Sequence, residues 1–341
     1  MRILLIQLKR IGDFILTAPA VAALRQAHPE AEIVAIVPAN VTGLARCIPG
    51  LDRVLPYGGR MLNAPAWASL LLGEWDLCLD FTGTDRSALM AWLSRAKQSV
   101  GYAKFASSRW RARAYTQLCE ASVRDLHTVD FHLAQVECAA QKALGETAAA
   151  LPAPLARPSE GSAFMRVPAA SSHLPFARSH LPLAVIHIGT AREEKFWVDE
   201  CWAEIIEHLA KAHQVVLTGT NAGLERPHLD RLRALLQVPV TDLTGRLSLV
   251  QLASLIEQCD LALGVDSMAM HLAAMFQRPQ VVLFGPTNPF HWRPRHERAQ
   301  VVAAGHAEPL MEFAPKAKGA DMNLISTTQV LSAISRALTP S

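Results

Sequence analysis

Asp266, Ser267 and His271 lie close together in the stretch LGVDSMAMHLAAMFQRPQVVLFGPTNPFHWRP, and Thr287 follows in the same run. An apolar segment, Asp260 to Val265, leads into Asp266-Ser267. A helix of one to two turns then carries Met268 and His271, Pro279 stops it, and a second apolar segment, Gln280 to Phe284, ends at Gly285-Pro286-Thr287. Two consecutive strands thus deliver polar groups to the carboxyl edge of a parallel sheet, where unpaired amides at a helix start favour anions. Ser267 has the residue type of an N-cap, so the amides after it would face a phosphate or a similar group. Taken alone, the same residues also fit an ordinary cap followed by a packed core histidine.

Two other positions could complete a group-transfer site. Lys195 follows the turn Gly189-Thr190 and precedes a helix expected over Asp199 to Lys211. A cation there would offset charge developing on a departing diphosphate, although a surface lysine has the same local pattern. Asp13 follows a strand, Arg2 to Leu8, and the single glycine Gly12, ahead of a helical spacing that runs to Arg25. A carboxylate at that place caps a helix as readily as it accepts a proton. One glycine does not make the dinucleotide fingerprint, so a nicotinamide site is disfavoured.

The elements that must hold these residues alternate strand and helix. Strands are expected at Glu32 to Val37, Trp75 to Phe81, Leu183 to Ile188, Gln214 to Thr218 and Val301-Val302. Helices are expected around Thr42 to Cys47, over Arg86 to Arg95, Asp130 to Leu144 and Ser248 to Cys259, and over Thr328 to Leu338 with Ser326 as its cap. Gly101 to Arg113 reads as an irregular basic loop with Tyr102, Phe105 and Trp110. From Glu146 to Leu183 the chain turns to Ala, Pro, Ser and Arg, which resists regular structure and marks a boundary between domains. The expected division is 1–155, a linker 156–182, 183–325, and a C-terminal helix 326–341.

A chain of 341 residues, half of them hydrophobic, can bury two cores of ordinary size. No apolar run approaches the roughly 20 residues of a membrane span. The start, MRILLIQLKRIGD, reads as a core strand and not as an export signal. Six cysteines without CxxC spacing read as reduced thiols of a cytoplasmic protein. The net charge of +3 resides in the first half, and Arg86 to Cys119 holds seven basic residues and no acidic one. That block points to an anionic partner or an anionic membrane surface. Nucleic acid fits less well, since the excess is small and no recognised binding motif accompanies it.

The opening stretch, with DSMAMHLAA followed by RPQVVLFGPTNP, resembles the signature of glycosyltransferase family 9, the lipopolysaccharide core heptosyltransferases. The N-terminal run RILLIQLKRIGDFILTAPAVAALRQAHP is similar to the same family's G-D and T-x-P pattern, and WDLCLDFTGTDRS, GTAREEKFW and DLTGRLSL match further family segments in order. The resemblance implies a GT-B architecture: two Rossmann-like α/β domains facing across a cleft, acceptor site in the first and nucleotide sugar in the second. It implies Asp13 as general base and Lys195 as the cation on the leaving group. Thr190, Lys195, Glu225, Asp266, Ser267, Met268, His271 and Thr287 would contact the donor, Glu225 through the ribose. Arg10, Arg86, Lys104 and Arg109 would contact the acceptor, with Arg86 equally able to be a solvent-facing helix arginine. His127 matches a histidine-led helix only in part. The family glycine after Ser267 is Met268 here, which must present a side chain where a glycine allows close approach.

The implied reaction is inverting transfer of heptose from ADP-heptose to an anionic lipopolysaccharide glycolipid, without metal or other cofactor, by a cytoplasmic enzyme with peripheral contact to the inner membrane. No D-x-D carboxylate pair stands beside the candidate site. A related transferase with another nucleotide sugar, or a non-catalytic sugar-nucleotide or glycan-binding homologue, remains the alternative.

Overall fold

A computed structural model describes residues 1–58, 64–106, 108–143, 163–169 and 173–339. The chain separates into two compact units, Met1–Glu160 and Gly161–Ser341. The expected boundary at 155/156 and part of the expected linker, residues 156–162 and 170–172, lie outside the described residues.

The first unit runs β1 (Arg2–Ile6), α1 (Ile11–Ile15), α2 (Ala18–Ala27), β2 (Glu32–Pro38), α3 (Thr42–Ala45), β3 (Arg53–Tyr57), α4 (Ala64–Leu72), β4 (Leu77–Asp80), α5 (Asp85–Leu93), β5 (Gln98–Tyr102), α6 (Arg109–Arg113), β6 (Gln117–Cys119) and α7 (Thr128–Ala143). Its six strands are parallel in the order β3-β2-β1-β4-β5-β6. The middle strands are apolar on both faces, as a sheet covered by crossover helices requires. The helical spacing from Asp13 to Arg25 is interrupted, giving α1 and α2. Pro19 has no N–H for the Ile15 carbonyl and its ring crowds that turn, so the chain re-nucleates with Pro19 in the first turn of α2. The segment expected as an irregular basic loop is ordered as the end of β5, a 3-10 turn at Ala103–Phe105, and α6.

The second unit runs β7 (Leu183–His187), α8 (Asp199–Ala210), β8 (Gln214–Thr218), α9 (Glu225–Leu235), β9 (Thr241–Asp242), α10 (Leu249–Glu257), β10 (Leu261–Val265), α11 (Met268–Met275), β11 (Gln280–Phe284), β12 (Ala299–Ala303) and α12 (Thr327–Leu338). Its sheet order, β12-β11-β10-β7-β8-β9, read from the other end, is the same arrangement as in the first unit. In each, the strand order reverses between the first strand and the fourth, and that crevice is where open α/β sheets bind ligands. Ser326 does cap α12: its hydroxyl accepts the Gln329 amide while the Gln329 side chain returns to the Ser326 amide. α12 packs on α8, β11 and β12, so it is part of this unit. Within the segment expected as linker, the Phe164 amide donates to the Met275 carbonyl and the Val167 amide to Glu257, with Met165 and Val167 buried.

Candidate active site

At the switch point of the second unit, the loops after β7 and β10 meet. The Asp266 amide donates to Leu283 at 3.0 Å, extending the β10–β11 ladder by one residue and fixing the carboxylate at the sheet edge. Its Oδ2 accepts from Lys195 Nζ at 2.6 Å and from Thr287 Oγ1 at 2.9 Å, and its carbonyl accepts a second Lys195 bond at 3.2 Å. Both partners of the ion pair are largely out of solvent, with side chains 13 % and 7 % exposed. Two of the three ammonium protons are therefore committed to Asp266, and the lysine is held in place instead of waving on the surface.

Ser267 stands at the N-cap position of α11 in an extended conformation, but its side chain makes no capping bond. The Ser267 carbonyl takes the amides of Met270 and His271. Its Oγ is buried and has no hydrogen-bond partner. A buried hydroxyl without a partner at a helix start is costly unless a ligand supplies one. His271 is buried within α11, and Met268 opens the helix half-buried.

Glu225, in the first turn of α9, lies over the ends of β7 and β8. Its Oε2 accepts the Thr220 amide at 2.5 Å. A Cβ on Gly189 would meet Glu225 Oε1 at 2.7 Å, and one on Gly219 would meet Oε2 at 2.8 Å. One carboxylate thus occupies the space that a side chain at either strand-end glycine would need. Thr190, next to Gly189, is buried. A further polar core, unforeseen from sequence, backs these loops. His187 Nδ1 lies 2.9 Å from Thr218 Oγ1, whose own proton goes to the Ile186 carbonyl at 3.2 Å, so Nδ1 carries the proton. Burial pulls the His187 pKa down to about 4. Its only signal in the sequence is a histidine at the end of an apolar strand, directly before Gly189-Thr190. Arg233 of α9 joins Asp242 at 2.8 Å to Thr244 at 2.6 Å and so ties down the turn after β9.

The switch point of the first unit differs in character. Asp13 is the third residue of the short helix α1, partly exposed; Arg10, exposed, occupies the N-cap position without a side-chain bond. The loop into α1 is clamped by Thr82, whose hydroxyl accepts the Leu8 amide at 2.8 Å and donates to Ile6 at 3.2 Å. Thr82 is itself placed by Asp80, which accepts the amides of Thr82 and Gly83 and the Tyr115 hydroxyl at 2.6 Å. Burial raises the Asp80 pKa against those bonds. Gly83 has φ of +70°, and the Phe105 ring sits where its Cβ would be, so only glycine fits. Lys9 and Lys104 place their ammonium groups 5.5 and 5.8 Å from the same ring. Lys9 is a cation of this edge that the sequence reading passed over. Arg86 lies 5.6 Å from the Tyr57 ring, and Arg86, Lys104 and Arg109 are exposed. His127 accepts the Val129 amide at 3.2 Å at the start of α7 and is buried.

The two Rossmann-like units are those of the GT-B fold. The model of glycosyltransferase family 9 (heptosyltransferase) matches residues 65–319, and the chain belongs to that family. It is 28 % identical over 301 residues to lipopolysaccharide heptosyltransferase 1 of Pseudomonas aeruginosa, covering 85 % of this chain and 80 % of that one. A solved family 9 glycosyltransferase from Veillonella parvula superposes with a TM-score of 0.79 at 21 % identity, covering 99 % and 97 % of the two chains. The E. coli ADP-heptose lipopolysaccharide heptosyltransferase II gives 0.77 at 23 % identity, covering 99 % and 98 %. None of the six cysteines is joined in a disulfide. Among the described residues, no helix is long and apolar enough to cross a membrane and no cluster of three or more His, Cys, Asp or Glu could hold a metal.

Proposed function

We propose that this glycosyltransferase moves a heptose from ADP-heptose to an anionic acceptor of the lipopolysaccharide core, with inversion at the anomeric carbon and without a metal ion. The observation that carries the reading is the Lys195–Asp266–Thr287 cluster beside the partnerless Ser267 hydroxyl. Asp266 leaves Lys195 one N–H for a diphosphate oxygen, and Ser267 with the α11 amides supplies further donors. As the acceptor hydroxyl oxygen bonds to the anomeric carbon, the bond from that carbon to the diphosphate breaks and its electron pair leaves with ADP. Asp13 takes the hydroxyl proton, and Lys195 balances the charge gained by the leaving group. Thr190, Met268 and His271 shape the donor side, Glu225 accepts from the ribose diol, and Arg10, Arg86, Lys104 and Arg109 meet acceptor anions. The enzyme works at the cytoplasmic side of the inner membrane, where such an acceptor is presented.

Mass spectrometry of lipid A-core extracts incubated with the protein and ADP-heptose tests this. An acceptor heavier by one heptose is the expected product. Product with a different nucleotide sugar only would replace heptose and keep the transferase, a reading that Met268 in the glycine position favours. No product with any donor would leave a binding protein.

A further inference from the structure

Lys195 ends a short 3-10 turn, Glu193–Lys195, and the two residues that bracket it touch one imidazole. The Phe196 amide donates to the Glu193 carbonyl at 3.2 Å and closes the turn. Phe196 is buried, and its ring lies on that of His228 with centroids 3.9 Å apart and planes at 12°. The contact of the imidazole edge is looser, with His228 Nε2 3.5 Å from Glu193 Oε1. His228 stands on α9 three residues after Glu225, and two charged neighbours fix its ring. Nδ1 lies 3.0 Å from Asp199 Oδ1, in the first turn of α8, and 2.9 Å from Arg231 Nη2. Arg231 also donates to Asp199 Oδ2 at 2.6 Å. The guanidinium has only protons to offer, so in the neutral ring Nδ1 accepts from Arg231 and Nε2 carries its proton toward Glu193. Arg192 and Glu194 pair with each other on the exposed side of the turn. Phe196 is therefore the side chain through which α9 grips the segment next to the lysine.

Given the reading of Lys195 as the cation on the diphosphate, we propose that His228 is a positioning residue for that site. Its ring, clamped by Asp199 and Arg231, holds Phe196 and so keeps Lys195 at Asp266. No hydrogen bond or ion pair joins His228 to Lys195 among the described residues, so its influence on a nucleotide passes through the turn.

Calorimetric titration of the full chain with ADP tests this in a cycle of single and double variants, with urea unfolding of each read alongside. His228→Ala should weaken ADP by about three- to ten-fold, the worth of one stacked ring pair. His228→Phe keeps a ring against Phe196 and should stay within about two-fold of the unaltered chain. In a chain that already carries Lys195→Ala, adding His228→Ala should weaken ADP no further, because its effect acts through the missing ammonium. A residue that only stabilised α9 would lower the urea midpoint and leave ADP affinity unchanged. That result, equal weakening by alanine and phenylalanine, or an undiminished effect of His228→Ala in the absence of Lys195 would each overturn the proposal while Lys195→Ala alone still weakens ADP. Unchanged ADP affinity in Lys195→Ala itself would instead overturn the diphosphate reading, and the proposal with it.

Discussion

The two units share one strand order, yet their switch points are built in opposite ways. In the second, the charged groups are prepaired and sunk: Lys195 with Asp266 and Thr287, and Glu225 wedged over Gly189 and Gly219. In the first, the buried network of Asp80, Thr82 and Tyr115 lies behind the edge, and the cations stand out in solvent. A small, invariant ligand such as a nucleotide diphosphate rewards rigid preorganisation, because little entropy remains to be lost on binding. A large anionic glycolipid is better met by mobile surface charges whose individual contributions are small.

Substitutions can break this contrast. Asp13→Asn should lower turnover by about 10³-fold, the scale of lost general-base catalysis, with ADP affinity unchanged in calorimetry; turnover within a few-fold of the original would remove Asp13 from the chemistry. Lys195→Ala should weaken ADP by about 10- to 100-fold, the worth of a bond between charged groups. It should also lower the melting temperature, because it strands Asp266. Unchanged ADP affinity would make the pair structural. Gly189→Ala pushes a methyl against Glu225 Oε1 and should cost about 1–3 kcal/mol in urea unfolding, where a neutral result would show that Glu225 moves freely.

The buried imidazole of the second unit sets a pH response. His187 titrates near 4 when folded, below its value of 6.5 in the free chain, so the unfolded state binds the proton more readily and stability falls as pH drops through that interval. Between pH 6.5 and 5 the loss should be about 1.5 kcal/mol, and His187→Gln should flatten that part of the curve. His132, held to about 3 by burial and by Lys9 and His127, adds a parallel dependence that the substitution leaves in place. The smallest effect is expected from Arg109→Ala: a rise of a few-fold in acceptor KM, the scale of one exposed charge, with kcat and ADP affinity steady. A hundred-fold rise would mean that the acceptor edge is as preorganised as the donor edge.

The sequence made the central elements readable where apolar runs were long and punctuated. Gln214–Thr218 and Gln280–Phe284 form as strands over the expected residues, and Ser326 caps α12 as its type predicts. The outer strands β3, β5 and β6 were not anticipated, being short and mixed with Arg53, Pro56, Gln98 and Gln117. At the site, residue types were legible but their pairings were not. Lys195 meets Asp266 across 71 residues, and Phe105 covers Gly83, contacts that only the folded topology creates. That Ser267 occupies the cap position without its hydroxyl capping is a matter of local geometry that residue type does not record.

Trp197, two residues past Lys195, is fully buried and donates its indole N–H to the Ile325 carbonyl at 3.0 Å, immediately before α12. The last helix therefore serves as a buttress for the loop that carries the lysine. A chain shortened before residue 326 would expose the sheet that α12 covers and unseat Lys195 as well, so damage at the far C-terminus would register first as a loss of nucleotide affinity.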